Sequence, residues 1–514
     1  MHPAYRVAKN TGFLYARMAI TVFISLYATR LILGALGAED FGLFSVVGGA
    51  IAMLTFLNTA MASATQRFMS YAQGEGNFIK QRNIFNVSIV LHFIIALFIL
   101  LILEGAGYFL FNGILKIPAD RIDVGKIIFQ FMLVSTFVTI ISVPYDAIIN
   151  AHENMFLVAI LGIIEAILKL VIAIFVTQTS FDKLISYGVL MALLSILLLI
   201  IRRIYCHSKY DEAKINLKKY YSKPLFKEMT RFAGWSFLGS SSSMIANYGQ
   251  SIIINVFFGT AVNAAQGVSN QVSGQLGAFA GTMMKALNPL IAKSEGAGNR
   301  TLMIEAVMTG SKISFFLLTF FFIPILIEMP YIFDLWLKNV PEFAVIFCEL
   351  LLIRNLIEQL FVTLASSISA QGNIKKYEII SSVLCFFPII ISYIFFYLGY
   401  PAYFIYIIFI IYSILASGVI LFFTWHNYKF PVYIFLKNVV FRSVITFLII
   451  FFASYCPTLF FEQGLLRLFL VLAISSLIFP VAIWFIGFNA NERDQSKKLI
   501  RPILSKIYSS NFHQ

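Results

Sequence analysis

Residues 31–83 read LILGALGAEDFGLFSVVGGAIAMLTFLNTAMASATQRFMSYAQGEGNFIKQRN, and the predicted architecture follows from this stretch. Two apolar runs meet at the acidic connection 37–40, and the second run ends in a basic loop that contains glycine. A weaker copy lies 222 residues later, without a gap, and pairs Gly37, Gly74, Gly76 and Asn77 with Gly259, Gly296, Gly298 and Asn299. A period this long is not that of a solenoid, so we predict two similar lobes of several helices each.

The composition is that of a membrane protein. Of the 514 residues, 60% are hydrophobic and 12% are charged, whereas a soluble protein carries about 25% charged residues. The apolar runs are continuous over roughly 20 residues, as a membrane-spanning helix requires, whereas strands of a membrane barrel alternate over about 10. We therefore predict an all-α polytopic membrane protein. The four scattered cysteines predict neither a disulfide nor a metal site.

Fourteen spans are predicted, with Gly, Pro, Asn and Asp at most of the breaks. They cover residues 11–36, 41–63, 84–111, 124–143, 155–178, 184–204, 232–258, 261–292, 304–328, 343–370, 376–399, 402–424, 438–458 and 466–487. The repeated segments are six spans apart, so the two lobes share one orientation and are related by an axis along the membrane normal. The predicted units are an N-terminal lobe at 1–204, a basic linker at 205–231, a C-terminal lobe at 232–424, two extra helices at 425–487 and a tail at 488–514.

Basic residues predict the orientation in the membrane. With the N-terminus in the cytoplasm, the tails and loops on that side hold 26 Lys and Arg, and the opposite side holds six. This bias follows the positive-inside rule and places both termini in the cytoplasm. The net charge of +14 is therefore interpreted as a topology signal rather than as a nucleic-acid footprint. The segment 202–231, with nine basic residues among tyrosines, is expected to lie on anionic lipid.

Signatures of catalysis are absent from the sequence. It lacks the phosphate-binding GxxxxGK[ST], the zinc-binding HExxH and the nucleophilic GxSxG motifs. It also lacks a large outer loop with clustered acids or histidines, where a membrane glycosyltransferase or ligase would keep its chemistry. We predict a transporter and not an enzyme, without a cofactor, which draws on an H⁺ or Na⁺ gradient or on its substrate's own gradient.

Polar residues form stripes inside two of the predicted spans. Span 7 carries Ser236, Ser240, Ser243, Asn247 and Gln250, and span 8 carries Gln266, Asn270, Ser273 and Gly277. At 100° per residue each set falls on a narrow face, which must meet protein or a water-filled cavity rather than lipid. Close packing of helices through small residues is the alternative for the serines and glycine. For the Asn and Gln side chains we favour a cavity.

Charged residues inside the spans fall into separate sets. Glu165 and Lys169, and likewise Arg354 and Glu358, are spaced i,i+4 and can neutralise each other, so we interpret both pairs as structural. Three acids near the outer ends of spans are interpreted as hydrated at the interface, with H⁺ or Na⁺ coupling as the alternative. These acids are Glu104, Glu328 and Glu349.

Four intramembrane cations have no such local partner, namely Arg17, Arg30, Lys285 and Lys312. A cation at membrane depth costs at least ~2.5 kcal/mol on insertion scales. A cavity that binds an anion would offset this cost, and the alternative is a side chain that extends to the headgroups. The two interpretations are balanced for Arg17 and Lys285, and the second is the stronger for the other two.

The stretch TGFLYARMAITVFISLYATRLILGALGAEDFGLFSVVGGAIAMLTFLNTAMASATQRFMSYAQGEGN resembles the N-terminal signature of bacterial oligosaccharide flippases, and the strongest match covers residues 11–83. These are the Wzx-like polysaccharide-biosynthesis branch of the MOP superfamily, which also contains lipid II flippases and MATE exporters. The loops NAHENM at 150–155 and SAQGNIK at 369–375 extend the similarity weakly over the chain. The resemblance implies two six-helix lobes around a central cavity and translocation by alternating access.

The implied substrate is an undecaprenyl-diphosphate-linked oligosaccharide, the repeat unit of O-antigen, capsule or exopolysaccharide, moved across the bacterial inner membrane. The expected partners are this glycan, membrane lipids, a glycan polymerase and a chain-length regulator, and not nucleic acid. The predicted substrate-binding residues are Arg17, Arg30, Lys285, Asn247, Gln250, Gln266 and Asn270. Alternatives are a MATE-type exporter of drugs or organic cations, which would need unpaired acids in mid-span, a lipid II flippase, and a membrane glycan polymerase or ligase.

Overall fold

A computed structural model describes residues 3–111, 119–337, 340–494 and 497. Within the helices, the side chains of 3–8, 26, 38–39, 42, 45–59 and 260 lie outside this description, and so does the predicted tail beyond 497. The described part is helical, without a strand, as predicted. Its helices are α1 (Pro3–Gly74), α2 (Phe78–Phe109), α3 (Ile122–Ala151), α4 (Met155–Gln178), α5 (Lys183–Lys209), α6 (Leu217–Tyr220), α7 (Lys223–Gly296), α8 (Arg300–Trp336), α9 (Ala344–Gln371), α10 (Lys375–Tyr397), α11 (Phe404–Tyr428), α12 (Val432–Phe435), α13 (Arg442–Tyr455) and α14 (Leu465–Ala482).

Two of these helices are each a pair of spans joined at one glycine. Gly37 divides α1 at φ 77° and ψ 172°, and Gly259 divides α7 at φ 78° and ψ −175°. This part of backbone space is essentially open to glycine alone, because a Cβ would clash with the neighbouring peptide groups. We call the segments before and after the kinks α1a and α1b, and α7a and α7b. Equal backbone angles at two positions 222 residues apart confirm the predicted repeat.

The repeat continues at the far end of α1b and α7b. Gly76 and Gly298 both have φ 67°. The next residues, Asn77 and Asn299, each cap the following helix by accepting a hydrogen bond from a backbone N–H, at 2.9 and 3.1 Å. Such caps satisfy donors that the first helical turn leaves unpaired. The two lobes therefore begin with the same helix, kink, helix, glycine and cap.

The helices run between two ends of the molecule. At one end lie the loops 75–77, 152–154, 210–222, 297–299 and 372–374, which are flanked by most of the Lys and Arg. We call this the basic end. At the other end, the kink end, lie Gly37, Gly259 and the turns 179–182 and 398–403.

The lobes share hydrophobic packing at the basic end. There a cluster joins Ala64 and Phe68 of α1b to Phe232 of α7a and Ile368 of α9. Nearer the kink end the clusters stay within one lobe, such as the one formed by α1a, α4 and α5 around Ala173. Contact between the lobes is thus concentrated at one end.

The last two helices dock on α8 through two buried ion pairs, one at each end. Lys312, 1% exposed, donates to both carboxylate oxygens of Glu492 at 2.9 and 2.8 Å. Glu328, fully buried, accepts from Arg467 at 2.8 and 2.9 Å. Lys312 is therefore neutralised by a distant partner, and the interpretation of Glu328 as a hydrated interfacial acid was wrong. Because removal of one member leaves a buried charge, each pair holds its partner helix in place.

The segment 210–222 packs on protein instead of forming a loose linker. Its backbone is hydrogen-bonded to Asn86 of α2, through the carbonyl of Lys214 at 3.1 Å and the N–H of Asn216 at 2.8 Å. Arg82 donates to the hydroxyl of Tyr220 at 3.0 Å. Its inner side is thus fixed to α2, and the expectation that the basic segment lies on anionic lipid stays a prediction.

Each of the fourteen predicted spans coincides with helical backbone. Ten helical segments are long and apolar enough to cross a membrane by length and composition. Among the described residues, these ten segments do not include the predicted spans on α1b, α7a, α7b and α9.

Alanine at Gly37 or Gly259 is expected to lower the free energy of unfolding by about 1–3 kcal/mol each, because a Cβ strains this backbone conformation. Gly34→Ala is the matched control, since Gly34 has ordinary helical geometry and open space around it. Thermal unfolding of the purified protein in detergent measures the change. Equal stability of Gly34→Ala and the two kink variants would contradict the strain argument.

Candidate functional site

Helices α1a and α7b cross between the lobes at mid-depth. The hydroxyl of Tyr15 donates to the backbone carbonyl of Phe279 at 2.8 Å. Thr282 lies against the sulfur of Met18, with 3.9 Å between Oγ1 and Sδ. The helices are antiparallel, so facing residues have numbers that sum to about 300.

Toward the kink end the same two helix faces are no longer covered. Continuing the register places Val22, Ser25 and Thr29 opposite residues 278, 275 and 271, and all six side chains are exposed. The helices therefore diverge beyond the contact at Met18. We call the wedge-shaped space between them the central cavity.

The exposed face of α7b shows that this space holds water rather than lipid. Its exposed residues are small or polar, namely Ala261, Ala264, Gly267, Asn270, Gln271, Gly274, Gln275, Gly277, Ala278, Gly281 and Lys285. Among the described side chains of 261–296, no large hydrophobic one is exposed. A lipid-facing helix would expose such side chains, because lipid does not satisfy amides or lysine.

Helix α7a presents two different exposed faces. One is apolar, with Leu238, Ile245, Tyr248, Ile252 and Val256 all exposed, as suits contact with lipid. The other carries exposed Ser240, Ser243, Asn247 and Asn255. These four positions are spaced by three, four and eight residues, so they share one face of the helix and form a second polar lining.

Two cations lie at the deep end of the central cavity. The guanidinium of Arg17 packs against α4 at Gly162, where an added Cβ would lie 2.0 Å from Nε. Lys285 is exposed, and the packing of Leu14 with Ala286 and of Met18 with Thr282 places it near Arg17. Among the described side chains, no carboxylate forms an ion pair with either residue. One turn beyond Lys285 the face closes, because Pro289 is buried.

The predicted binding residues are placed in different surroundings. Arg17 and Lys285 come together, and Arg30, Asn247 and Asn270 are exposed.

Gln250 and Gln266 are only 5% and 3% exposed, so they do not line the cavity in this conformation. Gln250 lies on the face of α7a that carries the buried Ile253 and Ile254. The binding roles of all the predicted residues remain predictions.

The polar stripe predicted on span 8 is divided between a helix contact and the cavity, because Gln266 is buried and Ser273 packs on α9, whereas Asn270 and Gly277 are exposed. Ser273 accepts a hydrogen bond from Asn355 of α9 at 2.7 Å, and Ser269 donates to the carbonyl of Ala344 at 3.2 Å. This is the close packing that was the alternative to a cavity.

The cavity face of α7b is rotated by roughly 90–100° from that stripe, at 100° per residue. Gln271, Gln275 and Asn255 were missed. The signal that identifies the two glutamines is the absence of large hydrophobics along positions 267, 271, 274, 278 and 285.

Both i,i+4 ion pairs expected from the sequence are present. Lys169 lies 2.7 Å from Glu165, and Arg354 lies 2.8 Å from Glu358. The carboxylate of Glu358 also accepts from Ser413 of α11 at 2.8 Å. These charges are therefore satisfied within their own lobes.

At the basic end, the two lobes close through a symmetrical backbone contact. A Cβ added at Gly74 would lie 1.9 Å from the carbonyl oxygen of Lys293, and one at Gly296 would lie 2.1 Å from that of Tyr71. Tyr71 and Lys293 are themselves equivalent in the repeat, as are the two glycines. Only glycine lets α1b and α7b approach this closely.

Polar and aromatic contacts reinforce this closure. Arg67 donates from Nε and Nη2 to the carbonyl oxygen of Ala370, at 3.1 and 2.7 Å. Phe68 and Phe232 pack edge to face with ring centroids 5.6 Å apart. Together with the glycine contact, these interactions close the cavity at the basic end.

Alanine at Gly74 or Gly296 is expected to push the lobes apart at the basic end, because the methyl group would meet backbone that cannot rotate away. Spin labels on Ile79→Cys and Thr301→Cys, exposed positions equivalent in the repeat, report the separation in a Cys456→Ser background. The distance distribution should shift to longer values in both variants. Gly105→Ala, with open space at its Cβ, is the control. An unchanged distribution in both gate variants would contradict this role for the glycines.

No family model and no curated protein matches the sequence. Solved structures do match. A MATE protein in the bent conformation aligns with a TM-score of 0.70 and 15% identity, over 86% of this chain and 98% of that one. A multidrug resistance MATE family transporter of the MOP superfamily, in an outward-facing conformation, aligns with a TM-score of 0.68 and 15% identity, over 83% of this chain and 96% of that one. A MOP superfamily transporter from Pyrococcus furiosus, described by the reverse polarity of its binding pocket, aligns with a TM-score of 0.66 and 16% identity, over 83% of this chain and 96% of that one. The chain therefore has the fold of these MATE and MOP superfamily structures.

Proposed function

We propose that this protein is a flippase that moves undecaprenyl-diphosphate-linked oligosaccharide across the bacterial inner membrane by alternating access. The observation that carries the proposal is the pair of cations at the deep end of the central cavity, Arg17 and Lys285, without a carboxylate partner among the described side chains. Two such charges side by side are costly unless an anion joins them. A diphosphate is an anion of matching charge, and guanidinium and ammonium groups both bind its oxygens.

The remainder of the cavity suits a sugar. Gln271, Gln275, Asn247 and Asn270 offer amide donors and acceptors on exposed faces. Sugar hydroxyls are also both donors and acceptors, so such side chains can follow a glycan without a charge preference. The cavity thus has two cations at its deep end and neutral polar side chains toward the kink end. A lipid-linked diphosphate would bind at the cations, and its glycan would contact the neutral side chains.

The proposed orientation places the basic end in the cytoplasm, with both termini on that side, in keeping with the positive-inside rule. The conformation described here would then be closed toward the cytoplasm and open to the outside. A conformation with the opposite closure would load substrate. An H⁺ or Na⁺ gradient, or the substrate's own gradient, would drive the cycle.

A drug or organic-cation exporter is the rival with the same fold. Its cavity would be expected to hold unpaired carboxylates, whereas the exposed cavity residues named here contain none. The Pyrococcus furiosus transporter, with its binding pocket of reverse polarity and suggested different function, is a MOP superfamily precedent for a different use of the fold. A lipid II flippase would share the diphosphate site and differ in its glycan contacts.

Arg17→Ala and Lys285→Ala are each expected to reduce flipping roughly 10-fold or more, because a charge-assisted hydrogen bond contributes about 1.5–3 kcal/mol. The assay is translocation of a fluorescent undecaprenyl-diphosphate oligosaccharide in proteoliposomes, together with surface glycan in cells. Gly162→Ala should act like Arg17→Ala, since its methyl group displaces the guanidinium. Gly105→Ala and the charge-preserving Lys285→Arg are the controls, and both are expected to keep flipping near the wild-type rate.

Wild-type flipping in both single variants and in the double variant would overturn the assignment of the diphosphate site. Drug sensitivity of a deletion strain with unchanged surface polysaccharide would favour the exporter instead. Rescue of a strain depleted of its peptidoglycan flippase would favour lipid II.

A further inference from the structure

A pocket of about 400 Å³ lies at the basic end, outside the central cavity and between the lobes. It is built by the end of α1b, the start of α7a and the loop that begins α10. We propose that this pocket binds the phosphate of an anionic phospholipid headgroup, and that the bound headgroup holds the basic end closed.

The lining of the pocket is unevenly charged. Four cations line it, namely Arg67, Lys80, Arg231 and Lys375, against two acids, Glu75 and Glu228. Lys80 is neutralised by Glu75 at 2.8 Å. The remaining three cations face a single carboxylate, so the pocket keeps an excess of positive charge.

The start of α10 adds donors to this excess. Residues 373–375 line the pocket, and the N-cap, Ile374, has no side chain that can accept from the first turn of the helix. The backbone N–H groups of that turn are therefore open to an external acceptor. A helix N-terminus also carries partial positive charge and favours phosphate. Lys375 stands at the same turn, with Nζ 5.3 Å from the ring of Trp235.

The position of the pocket fits a lipid headgroup. Phe78 and Ile79, next to the lining residue Lys80, are 41% and 67% exposed. Across the short segment that precedes α7, Leu217 and Tyr221 are 42% and 41% exposed. Apolar side chains beside lysines at the end of a helical bundle are the usual pattern of a membrane interface. The phosphate diester of a lipid whose tails contact these apolar side chains could reach Arg231 and Lys375.

The pocket exists only when the lobes are together at this end. Arg67 comes from the N-terminal lobe, and Arg231 and Lys375 come from α7 and α10. Separation of α1b from α7 would dismantle it. A ligand that binds one of two conformations stabilises that conformation according to its concentration and affinity. The proposed headgroup thus favours the state that is closed at the basic end and open at the kink end.

The test uses the full-length protein in nanodiscs, with the spin-label pair on Ile79→Cys and Thr301→Cys. Phosphatidylcholine discs are compared with discs that also contain phosphatidylglycerol, and with phosphatidylcholine discs supplemented with inorganic phosphate. We expect phosphatidylglycerol to raise the ratio of closed to open protein several-fold. The double variant Arg231→Ala/Lys375→Ala should lose this response. Lys227→Ala/Lys376→Ala is the matched control, because these exposed neighbours do not line the pocket, and it should respond like the wild type.

A closed shift with inorganic phosphate alone would overturn the lipid as the source, since a soluble phosphate would then suffice. The absence of a shift in any disc, or an equal response in the two double variants, would overturn the site itself. No glycan substrate enters the measurement. Its failure would therefore leave the proposed flippase activity standing, and failure of the flipping assay would leave this site standing.

Discussion

The architecture depends on two glycines that reverse the chain without interrupting it. At Gly37 and Gly259 the backbone lies near φ +77° with ψ close to 180°, a conformation that essentially only glycine adopts. Each kink joins two spans into a continuous hairpin, so α1b and α7b return to the basic end in equivalent positions. There a second pair of glycines lets the backbones touch. The cavity between α1a and α7b opens at one end because contact is confined to the other.

The two lobes share a backbone arrangement but carry different polar side chains on equivalent helices. The repeat equates α1a with α7a and α1b with α7b, yet among the described side chains the polar residues of the cavity are concentrated on α7. Lipid tolerates few unpaired polar groups, so each must meet water or protein. Ser269 and Ser273 of α7b meet α9, Gln271 and Gln275 face the cavity, and Arg17 packs against Gly162. Among the described side chains, the C-terminal lobe thus supplies most of the polar wall, and the N-terminal lobe supplies one of its two cations.

Local patterns predicted the helices, the repeat and the i,i+4 ion pairs, because each of these depends on residues close in sequence. Equivalent glycines 222 residues apart were enough to predict that the lobes match. The partners of Lys312 and Glu328 were out of reach, since Glu492 and Arg467 lie 180 and 139 residues away. The cavity face of α7b was misplaced for a related reason. Periodicity locates a polar stripe on a helix, but only the position of α9 decides which face of α7b is packed against protein and which is exposed in the cavity.

The closed end is built so that it can open. The contact between α1b and α7b at the glycines is made by backbone atoms, so separating it exposes little apolar surface. Arg67 donates to a carbonyl group, and Lys293 lies 3.6 Å from Glu153, and water can replace both interactions. The packing of Phe68 on Phe232 supplies an apolar term that water cannot replace. The wider cluster that joins Ala64 and Phe68 to Phe232 and Ile368 adds to this apolar contribution. Opening of the basic end would therefore have to offset the loss of this packing while water replaces the polar contacts, and the proposed headgroup would add to the stability of the closed state.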